Sequence, residues 1–296
     1  MDDNMMGIAL PRERDGSALR QRLRRLWSMK ITVLCSTVIV VLAASAILAP
    51  FIAPHDPNEQ RLLMRLTPPS KEWLFGTDQF GRDMLSRVIY GSRLSLVAGV
   101  VSVSIGLIFG IPLGLTAGYF GGIWDEVIMR CMDILLSFPY LLLAIAIVSA
   151  LGPGLFNSMM AIGIWTMPVY CRLVRSSVLS VKERDYITAA HATGTGHVRI
   201  LVAHVLPNVL GPIIVLSTLR IADAILAIAS LGFLGLGVQP PSPEWGTMLS
   251  NSRLYIELAP HTLVFPGLAI LLTVLAFNIL GDSLRDYLDP RLRKLM

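Results

Sequence analysis

Charge is what this sequence holds least of. Asp, Glu, Lys and Arg make up 15% of its 296 residues and hydrophobic residues 54%, giving a mean hydropathy of +0.64. A soluble domain carries about 25% charged residues and needs that polar surface to cover its core. So little charge excludes a water-soluble globule and implies a chain built for lipid. Lys and Arg outnumber Asp and Glu by 25 to 20. The basic residues fall largely between apolar blocks, so they are read as orienting the chain in a bilayer. Nucleic acid is not an expected partner.

Cysteine is equally scarce. Cys35, Cys131 and Cys171 are odd in number, lie in or beside apolar runs and show no CxxC or Cys/His ligand spacing, which leaves no disulfide framework and no zinc site. His191, His197 and His204 share one polar stretch without the HxxxH spacing of a helical metal site. No GxSxG, HExxH or paired-carboxylate cluster is present. The four lysines follow Met29, Ser70, Val181 and Arg293, so none completes the Gly-Lys-Ser/Thr loop whose lysine holds terminal phosphates. No catalytic residue, metal or cofactor is expected on this chain. If its work is driven by ATP, the ATP is hydrolysed on a partner.

What the sequence has in abundance is long apolar runs. A bilayer-spanning helix needs about 20 such residues, and six runs qualify: 31–53, 94–118, 131–151, 155–174, 208–230 and 262–281. The expected fold is therefore all-α, an integral membrane protein of six transmembrane helices. The first run follows Arg20, Arg22, Arg24, Arg25 and Lys30 and contains small residues at Ala44–Ala46, as a cleavage site would. It extends from Ile31 to Ala53, longer than the 7–15 residues of a secretory h-region, and reads as an uncleaved helix. Gly106, Gly110 and Gly114 stand four apart in the second run, the spacing that lets two membrane helices approach closely. Pro112 and Pro139 are of a kind that membrane helices tolerate.

Loop charge sets the expected orientation. Seven Lys/Arg lie in residues 1–30, five in 172–206 and four after Gly281, whereas 231–261 holds only Arg253. The positive-inside rule then puts both termini in the cytoplasm. Residues 1–30 form a cytoplasmic segment, 54–93 an extracytoplasmic loop, 94–281 the transmembrane core with a cytoplasmic loop at 178–207, and 282–296 a cytoplasmic tail. The 54–93 loop runs against the rule with six basic residues, Arg61, Arg65, Lys71, Arg82, Arg87 and Arg93, opposed by five acids.

The segment Tyr186–Asn208 (YITAAHATGTGHVRILVAHVLPN) resembles the EAA loop of importer-type ATP-binding-cassette (ABC) permeases: an acidic-Ala-Ala start, a Gly, then an apolar stretch ending in Leu-Pro. Ala189, Ala190, Gly194, Leu206 and Pro207 match that pattern. The family's glutamate falls at Thr188, so its acidic contact is missing here. Three further stretches are similar to the peptide/nickel branch of these permeases: Phe75–Asp83 continuing through Ser86–Ser95, Phe233–Gly246, and Phe265 to Pro290. The resemblance covers residues 30 to 290 and points to the C-type permease of a dipeptide/oligopeptide importer.

That resemblance implies a bacterial cytoplasmic (inner) membrane protein working with a second, B-type permease. It also implies two cytoplasmic ATPase subunits that bind ATP and an extracytoplasmic solute-binding protein that docks on 54–93 and 231–261. The loop holding Tyr186, Thr188, Ala189, Ala190, Gly194, Leu206 and Pro207 would seat in a groove of the ATPase, and Gly194 would let the backbone turn between two helical pieces. Nickel and glutathione importers share these motifs. A proton-coupled secondary transporter, the rival class, would need intramembrane acids. Asp133, Arg220 and Asp223 fall within the spans. Arg220 and Asp223, three residues apart, share a helical face near mid-membrane, where a charge costs about 2.5–3.5 kcal/mol. They are expected to pair, either as a structural ion pair or as a lining of the translocation path.

Overall fold

The computed structural model describes residues 15–288, with side chains from residue 30. Residues 1–14 of the expected N-terminal segment and 289–296 of the expected tail lie outside the described residues. The described chain is all-helical, with one isolated bridge between Thr77 and Asp83. The long helices are α1 (Asp15–Ile52), α2 (Met84–Phe120), α3 (Gly122–Ser137), α4 (Tyr140–Leu151) and α5 (Leu155–Lys182). After the short α6 (Asp185–Ala192) and α7 (His197–Arg199), a π-helical turn at Ile200–Val205 leads into α8 (Leu206–Phe233); α9 (Trp245–Ser252) and α10 (His261–Leu288) follow.

Four helices are long and apolar enough to cross a bilayer: Lys30–Ile52, Met84–Phe120, His197–Phe233 and His261–Leu288. The expected third span, 131–151, is not one straight helix. It is two, α3 and α4, bent by 92°. The cause lies at Phe138, which is extended (φ −89°, ψ 134°) because the following Pro139 disfavours helical backbone before it. Taking that pair as one broken span gives five. The remaining expected span, 155–174, is the first part of α5, whose 28 residues reach roughly 42 Å at 1.5 Å per residue. It falls short of that apolarity because Asn157, Ser158, Thr166, Arg172 and Arg175 interrupt its apolar run.

The centre of the molecule is the contact of α2 with α5. Gly106, Gly110, Gly114 and Gly118 form a ladder down α2. A Cβ added at Gly110 would meet Tyr170 Cβ at 2.7 Å, at Gly114 the Cys171 carbonyl at 2.5 Å and at Gly118 Val178 Cβ at 2.8 Å. The glycine spacing read in the sequence thus serves backbone contact between helices. Around this axis Ala98, Val103, Ile162, Tyr170, Ala224 and Ile228 bring α8 into the same core. α1 lies at the rim against α2 and α10 and leaves Val33, Leu34, Val40, Val41, Ile47 and Phe51 exposed, the apolar face that lipid requires.

α2 begins at Met84, ten residues before the expected 94, because Asp83 caps it by accepting from Ser86 N at 2.9 Å. The segment between α1 and α2 is therefore 53–83, and it is folded. Arg82 is buried against Asp78 at 2.7 Å. Arg87, also buried, donates to the Pro57 carbonyl at 2.8 Å and the Pro241 carbonyl at 3.3 Å. Arg61 pairs with Glu59. Three of the six basic residues that broke the loop-charge pattern are thus held by local partners. Phe75 stacks on Phe265 at 3.9 Å and the Thr77 carbonyl lies 3.1 Å from His261 Nε2, which pins the segment to the start of α10.

Glu244 is buried and caps α9, accepting from Gly246 N at 2.9 Å and Thr247 N at 2.8 Å. Burial pushes its carboxyl above the usual range, against the pull of those bonds. Trp245 beside it is fully buried and donates to the Val88 carbonyl at 3.0 Å, joining α9 to α2. The Pro240–Pro241 peptide in the preceding turn is cis.

Candidate coupling segment and charged face

The expected loop at 178–207 is mostly helical. Residues 178–182 complete α5, and α6 and α7 fill the centre, with the turn between them at Gly194 (φ +75°). This backbone region suits glycine. Gly194 N donates to the His191 carbonyl at 2.9 Å and Thr195 N to the Ala190 carbonyl at 3.1 Å, the paired closure of a helix that ends on a left-handed glycine. Ile187, Ile200, Val205 and Val209 turn inward onto Val174, Val178 and Val181 of α5. That buried face fixes the segment to the end of the bundle.

The other face is open. Tyr186, Thr188, Ala189, Gly194 and Pro207 are exposed, while Ala190 and Leu206 are half-buried. A Cβ at Gly194 would meet nothing within 4 Å. Thr188, standing where the acidic residue of the pattern would be, points outward. Beside it an open groove of about 690 Å³ is lined by Gly196, His197, Val198, Arg199, Val202 and Ala203. Val198 and Val202 are 75% and 58% exposed. Their spacing of four residues was the sequence signal for this apolar ridge, and sequence reasoning passed over it. It also passed over Tyr119, at the end of α2. The Tyr119 hydroxyl bridges His191 Nε2 at 3.2 Å and His197 Nδ1 at 2.9 Å, tying α6 and α7 to α2.

Arg220 and Asp223 sit on α8 and pair with each other at 3.0 Å. The Arg220 guanidinium lies 5.6 Å from the Trp165 ring centroid on α5, and Trp165 in turn packs against Tyr140 of α4 at 4.9 Å. Tyr170 donates to Ser217 Oγ at 3.2 Å one turn before Arg220. A second pair joins Asp133 of α3 to Arg172 of α5. Arg172 lies inside the expected 155–174 span but was not counted among its charges. The structure does not bring the residues of the expected ATPase-docking loop and the Arg220–Asp223 pair together: the first group closes one end of the bundle, the second lies along its side.

Comparison with known proteins places these features. Residues 110–294 match the family described as the binding-protein-dependent transport system inner membrane component, and residues 17–69 match the N-terminal TM domain of oligopeptide transport permease C. The chain is 54% identical to the di/tripeptide transport system permease protein DppC of Pseudomonas aeruginosa, covering 84% of each. It is 49% identical to the dipeptide transport system permease protein DppC of Alkalihalophilus pseudofirmus, covering 94% of this chain and 91% of that one. It is 44% identical to the glutathione transport system permease protein GsiD of Pectobacterium atrosepticum, covering 97% of each. Among solved structures, an inward-facing MetNI methionine ABC transporter matches in fold with a TM-score of 0.57 at 19% identity, over 70% of this chain and 98% of that one.

Proposed function

Because this chain belongs to the family of inner membrane components of binding-protein-dependent transport systems, we propose that it is one of two permease subunits of an ABC importer for short peptides. It is a multi-pass membrane protein; in this reading it lies in the bacterial cytoplasmic membrane with both termini in the cytoplasm. One observation carries the peptide assignment: two relatives named for dipeptide or di/tripeptide transport match it at 54% and 49% identity across at least 84% of its length.

The geometry supports the division of labour. The chain supplies a path and a docking end, and ATP is bound and hydrolysed on two separate ATPase subunits. The outward face of α6 and the Val198–Val202 ridge meet those subunits. Small Ala189 and Gly194 side chains allow close approach there. The folded 53–83 segment and the turn before α9 lie on the opposite side, where a solute-binding protein delivers cargo and a B-type permease completes the path. Arg220 faces that path and meets the carboxylate of a passing peptide, a task its planar fork suits, while Asp223 holds it in place.

A second reading follows from the relative named for glutathione, itself a peptide-like solute with free charged ends. Uptake of labelled dialanine, trialanine, glutathione and nickel by cells carrying the complete transporter, against cells lacking this chain, separates the readings. Peptide uptake that depends on this chain is the expected result, and uptake of glutathione alone would replace it.

A further inference from the structure

The pair Asp133–Arg172 has no part in the reading above, and its placement is unusual. Both side chains are about half exposed, 53% and 51%, although they sit on helices of a membrane bundle. Charges at such positions face a bundle interior or water rather than lipid, so the surface that carries them is turned to the path or to a partner subunit.

The helical period decides between these. Trp165 and Arg172 are seven residues apart on α5, two turns, and so share a face. Val169 lies between them on that face, half-buried, and Ser176 continues it, exposed. The stripe is polar at its lower end and aromatic at its upper end. At the aromatic end it already touches Arg220, 5.6 Å from the Trp165 ring, the residue assigned to the path. The Asp133–Arg172 pair thus opens on the same surface as the Arg220–Asp223 pair. Along α5, Trp165, which carries Arg220, and Arg172, which carries Asp133, are about 10.5 Å apart at 1.5 Å per residue. Three residues of extended peptide span at most about 10–11 Å.

We infer that Asp133, Arg172, Trp165 and Arg220 form a two-station site for the zwitterionic ends of a short peptide, with Asp133 taking the α-ammonium and Arg220 the carboxylate. Trp165 and Val169 between them offer the uncharged middle of the peptide an apolar floor that ignores side-chain identity. The inference rests on the peptide reading of this chain. At each station the paired residue, Arg172 or Asp223, keeps the charge compensated when no peptide is present, so the empty path holds no uncompensated ion.

The test uses the complete transporter in cells, with radiolabelled trialanine as the probe. The double variant Asp133→Arg with Arg172→Asp keeps an ion pair in place and reverses its polarity. It is expected to co-purify with its partner chains as the unaltered chain does and to lower initial trialanine uptake at least tenfold. Uptake within twofold of the unaltered transporter overturns the inference. Replacing Val169 alone with the photoreactive residue benzoylphenylalanine gives a second measurement that holds even if the swapped pair fails to assemble. Illumination in the presence of labelled trialanine is expected to attach it at that position, with excess unlabelled peptide competing it away; no attachment in a variant that co-purifies with its partner chains overturns the inference. An unaltered transporter that imports no peptide at all removes the peptide reading itself, which the other two failures leave standing.

Discussion

At the scale of single residues, Gly194 and the Arg220–Asp223 pair are the positions where a side chain can be separated from the fold. Gly194 combines a left-handed backbone with open space on its outer side, so two effects of substitution must be told apart. Gly194→Asn keeps a residue that tolerates left-handed backbone and is expected to transport normally. Gly194→Trp adds bulk on the docking face and is expected to reach the membrane yet lose uptake at least tenfold. Equal uptake by both variants would remove α6 from the docking surface. For the ion pair, Arg220→Leu with Asp223→Leu leaves no unpaired charge, a change that structural pairs tolerate. Normal co-purification with the partners and loss of peptide uptake are expected; full uptake would mean that the pair only holds α8.

At the scale of elements, the fold is set by glycine. Overpacking a tight contact costs about 1–3 kcal/mol, and Gly110 stands against Tyr170 and Met167 of α5. Gly110→Leu is therefore expected to lower the thermal midpoint of the purified chain in detergent, whereas Gly211→Leu, at a glycine with nothing within 4 Å, leaves it in place. The apolar runs and this ladder were legible in the sequence because lipid imposes both length and apolarity on a helix. The break at Pro139 was not, because membrane helices commonly absorb proline, and only the extended backbone at Phe138 distinguishes a break from a kink. The early start of α2 was hidden by Arg87, which reads as a loop residue until Asp78 and two carbonyls are seen around it. Of the candidate site, the Gly194 turn was readable from local chemistry, since one residue type serves one backbone region. Arg172 was overlooked because its partner Asp133 lies 39 residues away on another helix, a relation no local pattern records.

At the scale of the whole molecule, orientation is the property that everything else depends on. The burial of Arg82 and Arg87 and the pairing of Arg61 with Glu59 weaken the main objection to putting the 53–83 segment outside. Cysteines introduced near Asn58 and near Gln239 are expected to react with an impermeant thiol reagent in intact cells, and one near Lys182 only after the cells are opened. The reverse pattern would invert the chain. Cys131, exposed on α3, is replaced by Ser beforehand so that it contributes no background.

The way α6 and α7 are fastened has a mechanical consequence. They join α5 by a two-residue turn, run on through the π-helical turn into α8 and are tied to α2 by the Tyr119 hydroxyl, and α5 and α2 are locked to each other along the glycine ladder. A push on Gly194 therefore meets a single stiff rod roughly 42 Å long rather than two loose ones. If an ATPase docks on Gly194, as proposed, the glycine ladder would be the seam of that lever, with Arg172 midway along it and Trp165 farther from the docking end. In the proposed transporter, a displacement delivered at Gly194 would carry Trp165 and Arg172 with it, while Arg220 and Asp223 on α8 would follow through their contact with Trp165.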